Sequence, residues 1–543
     1  MSGFSRKEVR GTEGPMTLNV CFSGTKVPLK PVQADPFQET QDSLIEQLDF
    51  ERLPVLQGGP AEFEIIPEGK KAVDGKKEKG SKGSRRRLLR AVAEQCRRAS
   101  SGEAENGDVE GSEPCSAEGK IDNQDISNGK KRTKAVPVVP ATDLEKAALR
   151  AAELCLKAKH IDEECPVALL DVAVLKQRAA TWRKHLPRVV PMYAVKCNSE
   201  PAILEALWEV WQQWGYGGFD AASPAEMKLV LDLAGIQPGK DVLYANPCKH
   251  KKAIEYSKNV GITKLVFDNK AELDKLVEIY PTAELVVRVQ TDDTLALCPL
   301  SNKFGATVAG CKDLLAHARF LGLKVVGVSF HVGSGCSKVG AFHSAMERAK
   351  QVWDEAERQG FEMKFLDIGG GFPGWDEPEP DQANFADHAA DINNALEEHF
   401  ASTEIRVVAE PGRFFAAPAQ ALLTEVTSVA DFPDGNRYYL NDGLYGSFNC
   451  LLYDHAKVPK PIVLRCEKEL QPEKAGPSMR CTVFGPTCDG LDMISDELML
   501  PQLAVGDHLL FPKMGAYTSS ASTHFNGFCP AQPFVYESYL LDG

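Results

Sequence analysis

Between residues 189 and 412 eight short apolar runs alternate with amphipathic stretches, each run leading into Gly, Pro, Asn or Ser at its C-terminal end. The runs are "PMYAVKC", "GFDAAS", "DVLYANP", "KLVFDN", "ELVVRV", "KVVGVSFHVG", "KFLDIGG" and "RVVAEPG". Between them, stretches such as "PAEMKLVLDLAG", "KDLLAHARFLG" and "FHSAMERAKQVWDEAERQG" repeat apolar residues at helical spacing. Such β–α alternation either closes into a (β/α)8 barrel or spreads into a doubly wound open sheet. No dinucleotide fingerprint favours the open sheet, because Gly333-Ser334-Gly335 lacks the third glycine at the required spacing. The sequence therefore predicts an α/β fold, a TIM-type (β/α)8 barrel over residues 172–415.

The flanks read differently. Beyond residue 415 the runs shorten to "ALLTEVTSVADF", "RYYLND", "PIVLRC", "MRCTVFGP" and "DHLLFPKM", which predicts a separate C-terminal β domain over 416–543. Ahead of the barrel, "DLEKAALRAAELCLKAK" is helical, and residues 146–171 are expected to be a lead-in segment packed on the β domain. Residues 1–145 are rich in Lys, Glu, Ser and Gly, the composition of a low-complexity, mostly disordered extension. Within it "TLNVCFSGTKVPL" and "AEFEIIPEG" contain strand-like runs, and "SRRRLLR" at 84–90 reads as a solvated basic run. A nuclear address or a phosphate-binding patch is the sharper alternative for that run.

A formal net charge of −14 disfavours generic binding to nucleic acid or to an anionic membrane, since either would repel the chain. No apolar run approaches the roughly 18–20 residues that cross a bilayer, and the N-terminus lacks a secretory apolar region. The 15 cysteines form no C-x-x-C pair and no regular spacing, so neither a metal site nor a disulfide framework is expected. The expected compartment is the reduced cytoplasm.

Residues at the C-terminal ends of barrel strands form the reactive face of such a barrel. Lys196, in "YAVKCN", is flanked by Ala194, Val195 and Cys197. Burial there favours a lysine of lowered pKa, suited to a Schiff base with a carbonyl cofactor; a lysine reaching to the rim is the alternative. His331 ends "VVGVSFH" and Ser334 follows it; alone, this histidine reads as a satisfied core residue. Gly369, Gly370 and Gly371 follow a strand directly, a turn able to present backbone N–H groups to a phosphate. Glu410 and Arg413 close the eighth run. An imine-forming lysine, a phosphate turn and a carboxylate for a pyridinium nitrogen are together the needs of pyridoxal 5′-phosphate.

The chain resembles the eukaryotic ornithine decarboxylases, pyridoxal-phosphate enzymes of the alanine-racemase-like fold, through "PMYAVKCN", "GFDAASPAEM", "YANPCK", "SFHVGSGC", "LDIGGGFPG", "EPGR", "DGLYGSFNCLLYDHA", "GPTCDGLD" and "MGAYT". The likeness runs in order over roughly residues 150–540. It implies that Lys196 holds the cofactor and that His331 stacks on its ring. Ser334, Gly369, Gly370, Gly371, Glu410, Pro411, Gly412, Arg413 and Tyr517 would meet its phosphate and ring. Asp220 and Glu226 would support the lysine, and Tyr453, Asp454 and Asp489 would meet the substrate's distal amine. The implied reaction converts L-ornithine to putrescine and carbon dioxide, the first step of polyamine synthesis. Cys488, reaching across a homodimer, would return a proton to Cα.

Rivals and departures follow from the same likeness. Lysine, arginine or diaminopimelate are the alternative substrates; a methylene separates ornithine from lysine by only about 1–3 kcal/mol. An antizyme inhibitor, which keeps the fold without activity, is the non-enzymatic alternative, and such a chain should have lost cofactor or proton-donor residues. An antizyme is the implied regulatory partner. The extension before residue 150 has no counterpart in a typical member, and the chain ends at "YLLDG" without the degradation tail of animal members.

Overall fold

The computed structural model describes residues 136–543 apart from 159–163, 375–381, 403, 434, 466–467, 470–475 and 541–543. It also describes the backbone of three short strands near the N-terminus. Those strands, Asn19–Phe22, Thr25–Pro28 and Glu62–Glu64, form an antiparallel sheet and fall within the two runs read as strand-like. The disorder expected of the rest of the extension, and its basic run, lie outside the described residues.

Eight parallel strands close into a barrel. In chain order they are Val189–Ala194, Gly218–Asp220, Val242–Tyr244, Lys264–Phe267, Glu284–Arg288, Lys324–Ser329, Phe365–Asp367 and Arg406–Ala409. Seven lie within runs read from the sequence, and the first begins two residues earlier, at Val189, than the run read for it. Inward-facing Met192, Leu243, Val266, Val286, Phe365 and Val408 fill the barrel as a packed core. The outer faces of the strands pack on the surrounding helices through a larger apolar cluster. Local caps set where helices begin: the Ser223 hydroxyl accepts from the Glu226 N–H at 3.3 Å, while Glu226 Oε2 accepts from the Ala222 N–H at 2.6 Å.

The β domain is a ten-stranded sheet. Its long strand Gln420–Phe432 pairs with His508–Phe511 and Gly435–Leu440, and also with Val167–Asp171 from before the barrel. Strand Gln532–Leu540 pairs in parallel with Val167–Asp171 on one side and Val138–Ala141 on the other. Residues 138–141 thus belong to the folded body although their sequence reads as part of the extension; two exposed and two buried positions alternate along that strand. Helix Leu144–Ala158 covers this region with Ala147, Ala151, Ala152 and Cys155 against Leu169, Leu423 and Tyr536.

One sequence expectation is corrected here. Cys165 and Cys529 form a disulfide across a sequence separation of 364. Spacing could not reveal it, because only the parallel pairing of strands from opposite ends of the chain brings the two together. Among the described residues no helix is long and apolar enough to cross a membrane.

Candidate active site

Lys196 lies in a 3-10 turn, Val195–Cys197, directly after the first barrel strand. Its Nζ meets Asp220 Oδ2 at 2.5 Å, and Asp220 ends the second strand. Burial works against the ammonium, but Asp220 and then Glu410 outweigh it and hold Lys196 above its ordinary pKa. The lowered pKa expected from burial alone is therefore not what the surroundings produce: the Lys196 side chain is 41% exposed to the cleft, and Asp220 at the neighbouring strand end pairs with its amine. Asp220 Oδ1 is buried without a hydrogen-bond partner.

A second acid group sits against the glycine turn. Asp367 ends the seventh strand, and its Oδ1 accepts from the Gly369 N–H at 2.9 Å. Gly369 O in turn accepts from the Glu410 N–H at 2.7 Å. Burial, then Asp367 and Asp220, push Glu410 well above the usual carboxylate range. Burial pushes Asp367 up to about 7, against the hydrogen bond from the Gly369 N–H. Gly369 and Gly371 adopt φ of +65° and +114°, and a Cβ on Gly370 would stand 2.8 Å from both His331 Nε2 and Glu410 O. Only bare backbone fits there.

His331 follows the sixth strand, and its Nδ1 accepts from the Gly333 N–H at 3.0 Å. Burial, then Arg288 and Lys196, push it well below the ordinary imidazole range, so the ring is neutral. Arg413 opens the short helix Arg413–Ala419. Its guanidinium donates to Ser334 Oγ at 2.9 Å and lies 5.2 Å from the centre of the Tyr517 ring. Pro411 O accepts from the Ala194 N–H at 3.2 Å, tying the eighth strand end to the first.

Lys196, His331, Ser334, Gly370, Gly371, Glu410, Gly412, Arg413 and Tyr517 line one cleft of about 300 Å³. Asp220, Glu226, Gly369 and Pro411 support it from behind. Asp454 is brought to it in an unexpected way: both carboxylate oxygens accept from Arg413 at 2.7 Å, a buried bidentate pair. Tyr453 is 72% exposed and does not line the cleft, and neither do Cys488 and Asp489. Asp367 and Arg288 escaped the sequence reading, although both occupy strand ends, the positions that reading treated as the reactive face.

The loop carrying Cys488 is shaped from within. Asp492 accepts from the Leu444 N–H at 2.7 Å and from the Thr487 N–H and hydroxyl at 3.0 and 2.7 Å. A Cβ on Gly485 would fall 2.4 Å from that carboxylate, so the turn requires glycine. Cys488 is exposed; its N–H donates to Asn526 Oδ1 at 3.1 Å. The Tyr445 hydroxyl donates to Asp489 Oδ2 at 2.5 Å. The Leu491 N–H, then Tyr445, hold Asp489 below the usual carboxylate range.

The donor set suits pyridoxal phosphate: a lysine amine, a bare glycine turn beside Ser334 and Arg413, an imidazole held well below its ordinary range and a carboxyl held well above its own share one cleft. No metal was expected. One group of possible ligands, His343, Glu398 and His399, does occur among the described residues, with ligand atoms within 4.8 Å of one another; none of the three lines the cleft.

Comparison with known proteins agrees with this chemistry. Residues 172–417 match the family described as pyridoxal-dependent decarboxylase, pyridoxal binding domain. The chain is 43% identical to antizyme inhibitor 2 of Xenopus laevis over 389 residues, 69% of this chain and 82% of that protein. It is 41% identical to ornithine decarboxylase of Mus musculus over 390 residues, 69% of this chain and 81% of that one. Among solved structures, the arginine decarboxylase of Paramecium bursaria Chlorella virus bound to agmatine is similar with a TM-score of 0.65 and 31% identity. That match covers 72% of this chain and all of the viral one.

Proposed function

Because the chain belongs to the pyridoxal-dependent decarboxylase family, we propose that it decarboxylates L-ornithine to putrescine and carbon dioxide as a cytoplasmic homodimer using pyridoxal 5′-phosphate. The observation that carries the reading is the convergence of Lys196, His331, Glu410 and Arg413 on one cleft. Lys196 would hold the cofactor's carbonyl carbon. Ser334, Gly371, Arg413 and Tyr517 would hold its phosphate, His331 its ring face and Glu410 its ring nitrogen. Once bound, the cofactor supplies a sink for the electron pair left when the bond from Cα to the carboxylate breaks.

The remaining work falls to the chain's own side chains. Asp220 orients Lys196 and keeps its amine charged until a partner replaces that pair. Buried Glu410, held well above the usual carboxylate range by burial and by Asp367 and Asp220, lines the cleft where a proton is most readily kept. His331, being neutral, offers a flat uncharged face rather than a competing cation. Asp454 neutralises Arg413, so its contribution to a substrate ammonium requires that buried pair to open. Asp489 is the free acid of the two; its lowered pKa keeps it anionic toward an ammonium. Cys488 would deliver a proton to Cα in the site of a second copy, which is consistent with its exposure and its absence from its own chain's cleft.

Two compact acids favour an ammonium over the planar guanidinium of arginine, and lysine becomes the weaker second substrate. A binding protein of the antizyme-inhibitor kind is the second reading, favoured by the 43% identity to antizyme inhibitor 2. Retention of Lys196, His331, Glu410, Cys488 and Asp489 supports the enzyme instead. Purified protein mixed with pyridoxal phosphate should gain a visible absorption band and release carbon dioxide from ornithine. Neither band nor gas would sink the enzymatic reading.

A further inference from the structure

Of the described cysteines, Cys165 and Cys529 are bonded to each other and nine are free thiols. The bonded pair occupies a particular place. Cys529 directly follows the 3-10 turn Phe525–Gly527 and Phe528. From that turn, the Phe525 ring stacks on Tyr445 at 4.4 Å, and Tyr445 holds Asp489. Asn526, at a left-handed φ of +56°, holds the backbone of Cys488. Both residues of the exposed arm therefore lean on the segment that Cys529 terminates. Within 524–528 the backbone bonds, Gly527 N–H to His524 O and Phe528 N–H to Phe525 O, are internal to the segment.

The other sulfur is anchored firmly. Cys165 is buried two residues before strand Val167–Asp171, which is paired on both sides within the sheet. The bond thus pins an outlying loop to an interior strand. Cys529 is only partly buried where Cys165 is buried, so of the two it is the residue a thiolate reaches more readily. Exposed Cys248 and Cys488 remain free thiols in the same body, a pattern that suits surroundings in which accessible disulfides are reducible.

We propose that Cys165 and Cys529 form a reversible thiol–disulfide exchange site that takes a dithiol reductant and sets the order of the Cys488–Asp489 arm. One reductant thiolate attacks Cys529 Sγ, the bond to Cys165 breaks, and Cys165 leaves as a thiolate that takes a proton. The second reductant thiol then displaces Cys529 and becomes the other half of the reductant's own disulfide. Two electrons and two protons pass from reductant to protein, and both cysteines end as thiols. Reduction removes the covalent tie between the 525–529 segment and the residue before strand Val167–Asp171, leaving it held at its ends by Thr523 on Tyr445 and by strand Gln532–Leu540, and so loosens what Phe525 and Asn526 hold. The functional weight of this rests on the reading that the arm completes a second copy's site.

The test uses the full-length protein, oxidised with glutathione disulfide or reduced with dithiothreitol under native conditions. Alkylation with peptide mapping reads Cys165 and Cys529, and hydrogen exchange reads residues 486–492. Native reduction should make both cysteines alkylatable and speed exchange in 486–492 by about tenfold or more. Cys529→Ser should show the fast exchange under both conditions. The proposal is overturned if the pair resists native reduction, if it is already alkylatable after oxidation, or if it opens without altering exchange in 486–492. Exchange is read without turnover, so a protein that responds here yet releases no carbon dioxide from ornithine refutes the enzymatic reading and not this one.

Discussion

Around Lys196 the polar groups are enclosed by their own chain, whereas around Cys488 they face outward on a loop. At the barrel mouth Asp220, Asp367 and Glu410 are buried at strand ends, where burial raises Asp367 and Glu410 and Asp220 pairs with Lys196. In the loop, Asp489 keeps its charge through one backbone N–H and one phenol, and Cys488 is exposed. The contrast teaches how labour can be divided in such a fold. Tuning electrostatics needs low dielectric and rigid strands, while an arm that serves a second molecule must stay accessible.

Substitutions in the two regions should fail in different ways. Lys196→Ala should abolish the visible band with pyridoxal phosphate and lower decarboxylation by about 10³-fold or more, read by carbon dioxide release. Cys488→Ala should keep the band while losing about 10²-fold in putrescine formation, read by product analysis. Mixing those two variants should restore activity through hybrid dimers. A mixture that stays inactive although subunits exchange would break the shared-site half of the comparison.

Smaller effects test the scaffolds. Asp492→Ala leaves three loop donors, one buried and two partly buried, without their acceptor and should cost about 2–4 kcal/mol in unfolding free energy, measured by denaturant melts. The last test concerns proton linkage. Asp367 is raised from 3.8 to about 7, so the folded state binds its proton more tightly than the unfolded state does. Its contribution to stability is therefore present below about 4 and lost as pH rises toward 7. Asp367→Asn should flatten that decline in unfolding free energy between pH 4 and 7. Asp489 acts in the opposite sense, its lowered pKa adding stability above the ordinary carboxylate range and losing it as pH falls.

The barrel was legible because each strand is a compact apolar run with its own stop signal, and strand ends select the cleft-lining residues almost unaided. Local sequence also marked the long strand Gln420–Phe432. Pairings between distant segments were not legible. Strand Met493–Leu500 went unread because its core, Ser495, Asp496 and Glu497, is polar and largely solvent-facing. The Asp454–Arg413 pair and the Cys165–Cys529 bond depend on three-dimensional proximity alone. Asp367 is hidden for a different reason: an acid between Leu366 and Ile368 reads as one polar residue inside an apolar run, and only the fold turns it onto the Gly369 N–H.

Strand Gln532–Leu540 inserts between Val138–Ala141 and Val167–Asp171, both of which precede the barrel. During synthesis those two early strands must wait, unpaired on that side, until nearly four hundred residues have followed. The barrel can close on the ribosome before the sheet can. Completion of the sheet is thus a late, long-range event, slow by topology, during which an apolar strand edge lies open to chaperones or to another copy of the chain.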